Sequence, residues 1–210
     1  MAKREPSYDK IAKHYDFLSR LVFFKSQVKA QTEQLGYIKH CKKLLIVGGG
    51  TGWILKDLNV ITQPIAIVFV EASIKMIALA KKVGTHHAVE FVHQDIEAYQ
   101  THQIFDAILT PFLFDNFDWA KTGKVFAHID ALLATKGIWI DVDFYLNRQS
   151  ALWKRTILKT MHLFFRLIHV VRVNDLIDTA PFFKPRYTSI TEKHYYGHLI
   201  KAVVYQKQLL

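Results

Sequence analysis

Leu44-Leu45-Ile46-Val47-Gly48-Gly49-Gly50-Thr51-Gly52 is the stretch on which the fold turns. Four apolar residues in a row, cut off at once by glycines, read as a buried strand that ends in a tight loop. Lys42-Lys43 leads into the strand, and a helix starts near Trp53. Gly48, Gly50 and Gly52 stand at alternate positions, so no side chain there holds a ligand away from the backbone. Together with the exposed amides of the following helix, such a loop suits a polar or anionic group. Glycine triplets also occur in plain turns, so the loop needs support from the rest of the chain.

Working outward, apolar runs and helical stripes alternate. Ile65 to Val70 reads as a second buried strand, closed by Glu71, and Ile74 to Val83 as a helix. Val89 to His93 is a third strand ending near Asp95, and Phe105 to Leu109 a fourth, followed by the loop Thr110-Pro111-Phe112-Leu113-Phe114. From Lys121 onward Val125, Phe126, Ile129, Leu132 and Leu133 form a helical stripe that Gly137 ends. Ile138 to Phe144 is a fifth strand. This alternation calls for a largely parallel sheet covered on both faces. At the start, residues 7–35 read as helical, with Tyr8, Ile11, Tyr15, Leu18 and Val22 on one stripe. Toward the end, residues 148–173 read as one long helix, and Leu199 to Gln206 alternates as a terminal strand, with Gly197 as a bulge.

Composition narrows the class. Half of the 210 residues are apolar and 13% are aromatic, which excludes a disordered chain. The single cysteine, Cys41, rules out an intramolecular disulfide and points to the reducing cytoplasm, as does the lack of an apolar leader. No uncharged apolar stretch reaches the roughly 18 residues of a membrane span. The formal charge of +10 suits a nucleic acid, an anionic lipid or an acidic small molecule, or serves solubility alone.

The glycine spacing separates ligand classes. A dinucleotide fingerprint needs glycine at its first, third and sixth positions. Counted from Gly48 the sixth residue is Trp53, and counted from Gly49 the third is Thr51. A phosphate-binding P-loop fails likewise, because no Gly-Lys-Ser/Thr follows. The run 44–52 instead resembles the first motif of class I S-adenosylmethionine-dependent methyltransferases, a strand ending in Gly-x-Gly-x-Gly. The resemblance implies that Gly48, Gly50, Thr51 and Gly52 wrap the methionine part of S-adenosylmethionine. It assigns Glu71 to the ribose hydroxyls, with Ala72 beside it and Met76 packed on the adenine. In Val92-His93-Gln94-Asp95-Ile96, similar to the family's adenine loop, Asp95 would accept from the adenine amino group beside the Ile96 amide. Phe105 to Phe112 resembles the fourth strand, and the residues after it, from Thr110, would line the space between cofactor and substrate. Leu132 to Ile140 resembles the helix, tight turn and fifth strand. Tyr8-Asp9-Lys10-Ile11-Ala12-Lys13-His14-Tyr15-Asp16 is similar to an amino-terminal pattern of members acting on small molecules, quinones and lipids, in which Tyr15 would cover the cofactor. The chain departs from the family at Ile46, where many members carry an acid.

The resemblance covers roughly residues 7–145 and implies an α/β, Rossmann-like three-layer sandwich. Its expected sheet has seven mostly parallel strands, with a C-terminal antiparallel strand and a helical insertion after the fifth strand. We expect one domain over 1–210: a helical cap at 7–35, a cofactor-binding core at 44–145, the insertion at 148–187 and terminal strands at 188–210. Its substrate would be a small, apolar molecule such as a quinone, a lipid or a related metabolite; a non-catalytic S-adenosylmethionine-binding or assembly subunit is the other reading.

Methyl transfer needs alignment more than proton chemistry, so no catalytic residue is dictated. Asp141, Asp143 and Tyr145 share one face at the end of the fifth strand and are candidates for the pocket, followed by His14 and Asp115. In the helix at 148–173, Arg155, Lys159, His162, Arg166 and His169 share one face and the rest is unusually apolar. Three roles stay open for it: roof of a greasy pocket, peripheral contact with an anionic membrane, or homodimer surface. Nucleic acid is disfavoured because exposed aromatics are not interleaved with the cations. No metal is expected: His86, His87 and His93 do not form a helical ligand pair, and a strand at His194 and His198 would keep those two off a shared helical face.

Overall fold

The computed structural model describes residues 25–146 and 176–209, with Leu152, Trp153, Thr156 and Thr160 between them. Residues 7–24 of the expected cap, with His14 and Tyr15, and most of the expected helix at 148–173 lie outside the described residues. Helix α1 (Ser26–Thr32) passes into a 3-10 turn at Leu35–Ile38, so the chain is not one helix up to residue 35. Strand β1 (Lys43–Val47) and the glycine loop follow, then the short α2 (Ile54–Asp57), β2 (Ala66–Glu71), α3 (Ile74–Ala80), β3 (Ala88–His93) and β4 (Phe105–Pro111). Helix α4 (Trp119–Leu132) leads straight into β5 (Leu133–Phe144), and α5 (Ala180–Phe183) precedes β6 (Tyr187–Tyr195) and β7 (Ile200–Lys207).

The seven strands form one sheet in the order β3-β2-β1-β4-β5-β7-β6. Strands β1 to β5 pair in parallel, and β7 runs antiparallel to both β5 and β6. Each central strand is buried on both faces, which is why β1 reads as an unbroken apolar run. On one side Leu44, Ile46, Ile67, Phe69 and Leu109 pack against Ala30, Leu35 and Ile38 near α1 and Ile54 and Leu55 of α2. On the other, Leu45, Val68, Ile108 and Trp139 pack against Val125, Phe126 and Ile129 of α4. There Phe126 stacks on Trp139 with ring centroids 5.1 Å apart, and Phe183 of α5 stacks on Tyr205 of β7 at 3.9 Å. These aromatic contacts fasten the segment after the insertion to the sheet.

Three local expectations change. Thr110 and Pro111 belong to β4, because they pair with Asp141 and Val142. The tight turn expected before the fifth strand is an irregularity inside it: the register jumps from Phe105↔Leu133 to Ala107↔Ile138, with Lys136 at φ +63°. Gly197 sits in the turn of the β6–β7 hairpin, and it, Tyr196 and His198 all have positive φ. That turn brings the rings of His194 and His198 to 4.8 Å, which a straight strand would not do.

Gly52 is the glycine on which the packing of loop against helix rests. Its φ is +75°, and a Cβ would lie 2.5 Å from Ala80 Cβ and 2.8 Å from the Ala80 backbone. Gly52→Ala therefore combines left-handed strain with overpacking, and a loss of about 2–4 kcal/mol is expected. Denaturant unfolding of the variant against the parent protein measures it.

Candidate cofactor-binding site

The parallel strands all end at one edge, and strand order reverses between β1 and β4, with β2 and β3 on one side and β5 on the other. A crevice at such a switch point is where open α/β sheets hold ligands. Every described residue proposed for the cofactor, apart from Thr110, lies at or just beyond the carboxyl ends of β1, β2 and β3.

The glycine loop is shaped by packing from below and is open above. The Gly48 N–H donates to the Val70 carbonyl at 2.9 Å, which carries the β1–β2 ladder into the loop. Gly49 is demanded by the core, since a Cβ would fall 2.3 Å from the Phe69 ring and 3.0 Å from Ile46 Cγ2. Ile46, the departure from the family pattern, thus supports the loop by apolar contact. Gly50 differs from its neighbours: its φ is +58°, yet a Cβ would meet nothing within 4 Å among the described residues. Their packing leaves that space free, which is what a ligand approaching the main chain requires. Sequence spacing picked out Gly48, Gly50 and Gly52 but gave no sign that Gly49 is required by the core.

Glu71 closes the other wall. It is 7% exposed, and its Oε2 accepts the Gly50 N–H at 3.0 Å while Oε1 accepts the Ser73 N–H at 2.9 Å. Burial pushes its carboxyl up from the ordinary range, opposed by the amide hydrogen bonds from Ser73 and Gly50. The carboxylate retains lone-pair capacity beyond these amides, so the group can still accept from a ligand hydroxyl. Ser73 was missed from sequence: its hydroxyl caps α3 by accepting the Met76 N–H at 3.1 Å, and this fixes the loop that presents Ala72 and the buried Met76. His93 was missed as well; its Nε2 bonds the Ala72 carbonyl at 3.0 Å, joining the ends of β2 and β3. Asp95 is exposed, and its carbonyl accepts the N–H groups of Ala98 and Tyr99, while Ile96 is buried in the core beneath. Thr51 is buried within the loop.

Thr110 faces elsewhere. Its hydroxyl donates to Asp141 Oδ1 at 2.8 Å and accepts from Trp139 Nε1 at 2.9 Å, inside the sheet. Asp141 also accepts the Thr179 hydroxyl at 3.0 Å, and burial lifts its carboxyl to about 6. Asp143 accepts the N–H groups of Phe114 at 2.9 Å and Asp115 at 3.1 Å through Oδ2, which fixes the 3-10 turn Phe114–Asn116 beyond β4. Burial, then the charges of Asp115 and Asp141, push Asp143 well above the carboxylate range. Tyr145 follows just past the end of that strand, with the Lys201 ammonium 4.5 Å from its ring centroid.

Residues 44–137 match the family model of the methyltransferase domain. Over that span the chain carries a methyltransferase domain. Solved structures agree in fold. The DhpI–SAH complex superposes with a TM-score of 0.71 at 16% identity, over 97% of this chain and 94% of that one. The plantazolicin methyltransferase BpumL, with a monoazolic desmethylPZN analog and SAH, gives 0.65 at 18% identity over 95% and 90%. The Burkholderia thailandensis 1,6-didemethyltoxoflavin-N1-methyltransferase, with 1,6-didemethyltoxoflavin and S-adenosylhomocysteine, gives 0.63 at 15% identity over 100% and 93%. No curated protein matches the chain by sequence.

Because the methyltransferase domain leaves the Thr110 hydroxyl inside the sheet, Thr110→Val should act on stability. Leaving the Trp139 N–H without its acceptor costs about 1–3 kcal/mol. Thermal unfolding is expected to show that loss, with S-adenosylhomocysteine affinity changed less than about twofold.

Proposed function

We propose that the protein moves the methyl group of S-adenosylmethionine onto a small, apolar molecule held at the carboxyl edge of the sheet. The observation that carries this reading is the opening above Gly50, walled by the buried carboxylate of Glu71. The bound donor supplies an electrophilic methyl on a sulfonium. Gly48, Gly50, Thr51 and Gly52 hold its methionine part against bare main chain, and Glu71 accepts from the ribose. Ala72, Met76, Asp95 and Ile96 bound the adenine; the expected cover, Tyr15, lies outside the described residues. Alignment and exclusion of water carry most of the rate gain. The 1,6-didemethyltoxoflavin and the monoazolic desmethylPZN analog in the similar structures support a small-molecule acceptor. A quinone or lipid fits the apolar segment after β5 in this chain. We place the enzyme in the cytoplasm, because its single cysteine, Cys41, can form no intramolecular disulfide.

The second reading, a subunit that binds the donor without catalysis, predicts binding but no transfer. Calorimetry with S-adenosylmethionine, S-adenosylhomocysteine and NAD(P) tests the site. Gly50→Val and Glu71→Ala are each expected to weaken S-adenosylhomocysteine at least about tenfold, roughly 1.4 kcal/mol, with the fold retained by circular dichroism. Unchanged affinity in both variants would put the site elsewhere. Label transferred from the donor to small molecules of a cell extract then separates enzyme from subunit.

Among the described residues no helix is long and apolar enough to cross a membrane. Leu152 and Trp153 are nevertheless 82% and 46% exposed at the start of the basic segment. We propose that this segment touches an anionic bilayer; a homodimer contact is the other role for it. Co-sedimentation with anionic vesicles is expected to drop when Arg155, Lys159 and Arg166 are neutralised together, and equal sedimentation with neutral vesicles would remove the idea.

A further inference from the structure

One titratable group in the turn beyond β4 is enclosed without being sealed. Asp115 lies in the turn Phe114–Asn116, and Leu113, which leads into that turn, packs beside the glycine loop: a Cβ on Gly48 would sit 3.4 Å from Leu113 Cδ1. The turn is held from both ends. Asp143 takes the amides of Phe114 and Asp115, and the Asn116 amide donates to the carbonyls of Phe112 at 3.0 Å and Leu113 at 3.2 Å. Asn116 also donates to Asp115 Oδ1 at 2.6 Å, which fixes the plane of the carboxyl group. No hydrogen bond from any other described residue reaches Oδ2, and that oxygen is not among the buried unpartnered atoms. The residue keeps part of its surface exposed.

We propose that Oδ2 of Asp115 takes the proton from the substrate, so the acceptor molecule carries an O–H or N–H and is methylated on that oxygen or nitrogen. The inference rests on the function proposed above. In the step, the X–H bond breaks and its proton goes to Oδ2. The lone pair of X forms the new bond to the methyl carbon, and the carbon–sulfur bond breaks with its electron pair passing to sulfur, which leaves as a neutral thioether. Asn116 and Asp143 are positioning residues.

The surroundings suit a base that works near neutrality. Burial raises the Asp115 carboxyl to about 7, against the hydrogen bond from Asn116. The charged groups around it are Asp143, with Asp141 behind on β5 and Lys201 opposite Asp143 on β7. Among the described residues no cation forms an ion pair with Asp115 itself. A base must be ionised to act, so transfer should level off above about pH 7 and fall about tenfold per unit below it.

The test uses the full chain, donor carrying a labelled methyl, and the small-molecule fraction of a cell extract as acceptor. D115N is expected to lower label transfer at least about a hundredfold, within the usual range for loss of a general base, and to leave S-adenosylhomocysteine affinity within about twofold. D115E should restore part of the rate, with a shifted pH profile. Failure of the functional reading would appear as no saturable S-adenosylhomocysteine binding by the parent protein, or as binding without transfer. Failure of the present inference would appear with transfer by the parent protein intact, as transfer by D115N at the parent rate. The parent protein alone also decides it: transfer that stays flat between about pH 6 and 8 overturns the assignment even if D115N does not fold.

Discussion

Two main-chain amides, those of Gly50 and Ser73, converge on one buried carboxylate, and the geometry of the sheet's carboxyl edge depends on that convergence. Glu71 sits at the end of β2, so its position is set by the β1–β2 and β2–β3 ladders rather than by the loops it joins. The loops follow the carboxylate. A buried acid without donors would be unfavourable by several kcal/mol, and here the donors are the loop amides that a ligand site must hold still. The constraint acts both ways: Gly50 is drawn toward Glu71 only because Gly49 beneath it can lie against Phe69, where any Cβ would collide.

Buried acids occur at both ends of the sheet and are treated differently. Asp130 of α4 meets Arg186, the Tyr187 hydroxyl at 2.6 Å and the Lys207 ammonium at 3.2 Å. Opposite charges surround it, and the result ties α4 to the β6 and β7 strands. Asp115, Asp141 and Asp143 lie at the opposite edge and are met mainly by hydroxyls and amides. Among the described residues none of the three forms an ion pair, which leaves burial as the dominant effect, so these carboxyls move toward neutrality. The fold thus separates an end where cations meet a buried acid from an end where burial moves carboxyls toward neutrality.

The strands were legible because burial on both faces turns them into short apolar runs. Leu44 to Val47, Ile65 to Val70 and Val89 to His93 each fall within a residue of the observed strand at either end. Legibility failed where pairing, not composition, decides. Thr110 and Pro111 look like loop residues and become strand because Asp141 and Val142 lie beside them. Leu133 to Gly137 reads as the end of a helix and a turn, yet its first residue pairs with Phe105. His194 and His198 meet only because Tyr196, Gly197 and His198 adopt left-handed backbone in the hairpin.

By itself, the sequence determined the α/β alternation, the glycine loop and the acid that closes β2, since each is a local pattern of apolar runs, missing side chains and one carboxylate. Tertiary structure alone decided what those residues do for one another. It turned Thr110 into the sheet, made Gly49 obligatory, brought His93 to Ala72 and set Asn116 against Asp115. Hydrogen bonds between residues far apart in sequence, and contacts that would collide with an absent side chain, leave no periodicity to read. They exist only once the strands have taken their order.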